Sequence, residues 1–114
     1  MLSYQKLDVY QCSIQLIALV STIVARMPRG YLFLADELKR ASVPISQNTA
    51  EGVGKPGKAD RSRYLGIARG SAMECGAILD AGELLKAISI SDKEKGIQLV
   101  ERIVSMLTKM IQSD

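Results

Sequence analysis

The run Lys39-Arg40-Ala41-Ser42-Val43-Pro44-Ile45-Ser46-Gln47-Asn48-Thr49-Ala50-Glu51-Gly52, with the later run Ile67-Ala68-Arg69-Gly70-Ser71-Ala72-Met73-Glu74, decides the fold. The first has helical composition on both sides of Pro44. Proline there removes the amide that would bond back to the carbonyl of Arg40 and disfavours helical geometry at Val43. Because Ile45 to Glu51 stays helical in composition, the run predicts a kinked helix rather than two helices. The second run is rich in small residues, and Gly76, Ala77, Ala81 and Gly82 continue the trend. Glycine in a helix costs about 1 kcal/mol against alanine, so these positions predict a helix held by close tertiary packing.

Working outward, three breaks divide the chain into four helices. The first is expected from about Tyr4 to Met27, where Pro28-Arg29-Gly30 stops it. The second spans Tyr31 to Gly52, ahead of the loop Gly52-Val53-Gly54-Lys55-Pro56-Gly57. The third spans Lys58 to Ile88. The fourth starts at Ser91-Asp92-Lys93-Glu94, an S-x-x-E pattern in which the Ser91 hydroxyl and Glu94 carboxylate would satisfy orphan amides, and runs to about Gln112. With 114 residues, 47% of them hydrophobic, and aromatics at only 4%, the chain suits one domain with an aliphatic helical core.

The first and fourth helices each carry two apolar rows. In the first, Leu7, Tyr10, Ile14, Ile17 and Val24 make one row, and Val9, Leu16, Val20, Ile23 and Met27 make another about 100° round. In the fourth, Ile97, Val100, Val104, Leu107 and Ile111 are matched by Leu99, Ile103, Met106 and Met110. A small bundle needs one row per helix. The second rows, with Val20 and Ile103 at their centres, are therefore expected in a homo-oligomer interface; the alternative is a core that buries more than half of each helix.

The same block resembles the small four-helix-bundle proteins encoded by intervening sequences in bacterial 23S rRNA genes. Their pattern runs roughly R-A-a-x-S-I-x-x-N-I-A-E-G, then a basic loop, then F-L-x-I-A-x-G-S-x-x-E. The resemblance reaches from Tyr4-Gln5-Lys6-Leu7-Asp8-Val9-Tyr10 to the apolar tail between Leu99 and Ile111. Family members usually carry Ser where this chain has Pro44, often with Pro two residues later, and an aromatic where it has Arg61. The resemblance implies an all-α, antiparallel up-down four-helix bundle with no established enzymatic activity. Relatives that are accessory variability determinants of diversity-generating retroelements form basic pentameric rings, bind nucleic acid and partner a reverse transcriptase. A ring of that sort is thereby implied here.

Charge supports a nucleic-acid reading. Between Lys39 and Arg69 there are seven basic and two acidic residues, a local +5, whereas the remainder, with eight basic and ten acidic, is −2. Lys39, Arg40, Lys55, Lys58, Arg61 and Arg69 are the expected phosphate contacts, and helical geometry puts Lys58, Arg61 and Arg69 within about 80° of one another. A solvated face with intersubunit salt bridges is the plainer alternative. Asn48, Glu51, Ser71 and Glu74, with Arg69, are expected to form a semi-buried polar network that fixes helix register. The alternative for that group is a ligand pocket.

Other chemistry is poorly served. The chain has no histidine, which excludes Ser-His and Cys-His nucleophiles, E-x-x-H di-metal sites and ordinary zinc sites. Gly52 to Ala59 approaches a phosphate loop, but Ala59 replaces the magnesium-binding hydroxyl, Pro56 removes an amide, and a helix precedes it where a strand is required. No catalytic residue, metal or cofactor is expected. Cys12 and Cys75 are read as buried thiols of a cytoplasmic protein. The apolar run from Leu16 to Ala25 lacks a basic n-region and is too short to span a bilayer, so no membrane is expected. The expected partners are copies of the chain, RNA or DNA, and a reverse transcriptase or another protein; an acidic protein bound to a scaffold is the alternative.

Overall fold

The computed structural model describes residues 1–113. A 3-10 turn at Ser3–Lys6 leads into α1 (Asp8–Arg26), and a second at Arg29–Tyr31 leads into α2 (Leu32–Val53), followed by α3 (Lys58–Leu84) and α4 (Ile90–Gln112). Each helix packs on the next and α4 closes on α1, without diagonal contact between α1 and α3 or α2 and α4. Short connections and neighbour-only packing define an up-down bundle. Its long dimension, 45 Å, matches the roughly 40 Å rise of a 27-residue helix.

The core is aliphatic, as composition requires. Leu16, Ile23, Leu38, Ile45, Leu65, Leu79, Ile103 and Leu107 are fully buried, and Cys12 and Cys75 are buried as free thiols. Two glycines set how closely the elements approach. A Cβ on Gly96 would meet Leu79 Cδ1 at 2.6 Å, and one on Gly82 would meet Ile88 Cγ1 at 2.7 Å. Gly82 of α3 thus lets the turn before α4 pack close, and Gly96 of α4 lets Leu79 approach, whereas Gly66 and Gly70 of α3 face open space and gain no such packing against their poor helix propensity.

The structure corrects the assignment of the apolar rows. Val20 (2% exposed) and Ile103 (0%) lie in the core with Val9, Leu16 and Ile23, not in an outward row. On α1 the other row is the partly uncovered one: Tyr10, Ile17 and Val24 are half-buried and Ile14 is exposed. Rows 100° apart both touch a core wedged between two neighbouring helices, so a corner helix of a four-membered bundle buries more than one stripe. α1, at 19 residues, is longer than the apolar run inside it and is long and apolar enough to cross a membrane by length and composition, although its Val9 to Ile23 row faces the core.

Helix ends also differ from expectation. Ser89, not Ser91, caps α4: the Asp92 amide donates to Ser89 Oγ at 3.0 Å, while Ser91 is exposed. Asp92 is consequently buried in the first turn, where Arg26 Nη1 reaches both carboxylate oxygens at 3.1 and 3.3 Å. The pair joins the basic last turn of α1 to the first turn of α4, each favourable to its helix dipole. α3 stops at Leu84 rather than Ile88 because the Ala87 amide bonds Gly82 O and the Lys86 amide bonds Glu83 O. This is a Schellman closure, with Lys86 at φ 62° in the left-handed position that glycine usually fills. α2 runs unbroken through Pro44. Nearby, Ser42 and Ser46 hydroxyls donate to the carbonyls of Lys39 and Val43, and the Asn48 amide donates to Pro44 O at 2.9 Å.

Candidate nucleic-acid interface

The turn between α2 and α3 is where the excess positive charge meets an aromatic ring. α2 carries Gln47, Asn48 and Glu51 to the mouth of the turn, Lys55 follows in the turn itself, and the first turns of α3 bring Lys58, Arg63 and Tyr64. Lys55 Nζ stands 3.3 Å from Glu51 Oε2 and 5.2 Å from the centre of the Tyr64 ring. The Arg63 guanidinium lies 4.4 Å from the same centre. Two cations therefore share one ring, each such contact contributing about 0.5–1 kcal/mol at an exposed site. Beside them Gln47, Asn48, Ala50, Glu51 and Tyr64 line an open cleft of about 600 Å³.

The expected phosphate contacts do not all gather here. Lys39 and Arg40 are exposed on α2, with Lys39 Nζ 3.6 Å from Asp36. Lys58 is exposed and Lys55 half-buried. Arg61 is half-buried and engaged in the protein. Arg69 turns the other way: its Nε donates to Thr108 Oγ1 on α4 at 2.8 Å. The angular reason is simple. At 100° per residue, Lys58, Arg61 and Arg69 centre on the direction of Leu65 and Ala72, both fully buried, so this arc of α3 points into the bundle. Only at the helix start, where the bundle ends, does it reach solvent.

The anticipated polar network is likewise dispersed. Asn48 bonds within α2, Glu51 pairs with Lys55, Arg69 bonds Thr108, Ser71 is half-buried and Glu74 is exposed. Glu74 instead acts on its neighbour: burial first, and the Glu74 charge second, push the Cys75 thiol up to about 12. Register is fixed by apolar packing and by Arg26 with Asp92. Among the described residues no buried side-chain polar atom lacks a partner, and no cluster of His, Cys, Asp or Glu could hold a metal ion.

Tyr64, Arg63 and Gln47 were not singled out by the sequence as site residues. An aromatic closing the run Arg61-Ser62-Arg63-Tyr64 in a basic stretch is the available signal.

The crystal structure of a protein of unknown function from the S23 ribosomal protein family of Bacteroides thetaiotaomicron superposes on this chain with a TM-score of 0.85 at 18% identity. The match covers 90% of this chain and 97% of that one, which shows the shared fold. No curated protein matches. The family model for the 23S rRNA-intervening sequence protein matches residues 5–109, and the chain belongs to that family.

Proposed function

We propose that this protein is a non-enzymatic, cytoplasmic accessory protein that binds RNA or DNA as a basic homo-oligomer. One observation carries the reading: Lys55 and Arg63 converge on Tyr64 at the open end of the α2–α3 pair, where Lys58 is also exposed. Cations on one surface contact phosphates without reading sequence, and the family's name ties it to an rRNA context. Self-association is supported by two outward faces with little charge. α1 has no charged residue between Asp8 and Arg26 and exposes Gln11, Ile14, Ala18 and Thr22; α3 exposes Gly66, Gly70, Met73, Ala77 and Leu84. A pentameric ring, as in the retroelement accessory proteins, would repeat the basic end five times, and a reverse transcriptase is the partner class such a ring would serve.

The second reading is a protein-interaction scaffold whose basic end meets an acidic partner, favoured by the same sparsely charged faces. Immobilised protein challenged in parallel with RNA and with an acidic protein of matched charge separates the two. Salt-sensitive retention of RNA alone supports the first; retention of the acidic protein with RNA in the flow-through replaces it with the second. Light scattering is expected to give a mass near five times the 12.4 kDa chain; a monomer mass would remove the ring.

A further inference from the structure

The basic end holds more than charge. Tyr64 sits half-buried at the mouth of the cleft, its ring flanked by Lys55 and Arg63. A duplex offers phosphates to such a surface but no base face. An unpaired strand offers both, and base–aromatic stacking strengthens binding about 5- to 150-fold per base.

The polar groups of the cleft have a sign. The Asn48 amide nitrogen gives one of its two hydrogens to Pro44 O, and its Oδ1 adds a neutral acceptor to the lining. Glu51 contributes two further acceptor oxygens, one of them 3.3 Å from Lys55 Nζ. Gln47, with both donor and acceptor, is exposed on the rim. Glu51 is the one charged acceptor among the residues that line the cleft. Among the bases, guanine alone presents two adjacent donors, N1–H and N2–H, on its Watson–Crick edge, the match for a carboxylate. Single-stranded recognition by stacking plus edge contacts is the general mode for unpaired bases.

Building on the nucleic-acid reading above, we infer that the cleft between Tyr64 and Glu51 is a nucleobase site: the exposed Arg63 guanidinium leaves the Tyr64 ring for a flanking phosphate, an unpaired base stacks on the face it vacates, Lys55 holds a second phosphate, and guanine is preferred because its paired donors meet the Glu51 carboxylate.

The test is fluorescence anisotropy at about 50 mM salt with three labelled probes: a ten-nucleotide uridine strand, the same strand carrying two separated guanines, and a duplex of equal length. The wild type is expected to bind the guanine-bearing strand several-fold more tightly than the uridine strand and both more tightly than the duplex. Tyr64→Leu should weaken single-strand binding about tenfold while leaving duplex binding unchanged, and Tyr64→Phe should restore it. Glu51→Gln should abolish the guanine preference while tightening overall binding, since it removes a negative charge beside the phosphates; a merely structural Glu51 would shift all probes together. Circular dichroism confirms that the variants are folded. Single-strand binding that ignores both Tyr64 and base identity would overturn the nucleobase site and leave the electrostatic reading standing. No binding of any probe would overturn both.

Discussion

The two ends of α3 do opposite work. Its C-terminal half is closed: Gly82 and the approach of Gly96 to Leu79 leave no room for added atoms, and the chain turns directly beneath them. Its N-terminal end is open, with Lys58 exposed, Tyr64 half-buried and a cleft on the α2 side. The closed end shows what holds the helices together, and the open end shows what the bundle presents to other molecules. Stability and the proposed binding are thereby assigned to different residues of one helix, so variants at one end should leave the other intact.

The largest effect should come from the core that the closed end belongs to. Ile103→Lys buries an unpaired charge at a site with no exposure and should unfold the protein, a loss above about 4 kcal/mol; denaturant titration by circular dichroism reads it. A folded, dissociated monomer would return Ile103 to an interface. Next, Gly96→Val drives a branched side chain against Leu79, with an expected loss of about 1–3 kcal/mol and no change in nucleic-acid binding.

Cys75 offers a pH readout of the same region. Its thiol pKa is raised from 9.0 to about 12, mainly by burial, so the folded state keeps a proton that the unfolded state releases. That contribution is fully present below about pH 9 and is lost as pH rises from there through about 12. Cys75→Ala should remove this part of the alkaline decline, measured by unfolding midpoints across the window; an unchanged decline would show that Cys75 does not drive it. The smallest effect is a gain. Lys86→Gly relieves a side chain held at φ 62° and should stabilise the protein by up to about 1 kcal/mol.

Much of this division could be read from the amino acids. The four helices follow from apolar periodicity and the breaks at Pro28 to Gly30 and Gly52 to Gly57, and α2 continues through Pro44 as its composition required. Ends were harder, because Ser89 and Ser91 are both plausible caps and only the turn set by Lys86 decides between them. The rows of α1 are reversed because periodicity gives the angle between two rows but not which points inward; on α4 only Ile103 departs, since Val100 and Leu107 are buried and Leu99, Met106 and Met110 half-buried. The candidate site was half legible. Lys55 and Lys58 lie at the α2–α3 turn, whereas Arg69 is drawn to Thr108 by helical phase. Tyr64 becomes meaningful only once Lys55, from across the turn, is seen over its ring.

The central claim is that the open end of the α2–α3 pair binds nucleic-acid phosphates, and its most direct test is the salt dependence of binding to a single-stranded oligonucleotide. Log affinity should fall with log salt at about 0.7 per phosphate neutralised. Replacing Lys55, Lys58 and Arg63 together with Gln should flatten the slope by about 2 while helical content and oligomer mass stay unchanged. An unchanged slope in the triple variant would place the contacts elsewhere and contradict the account.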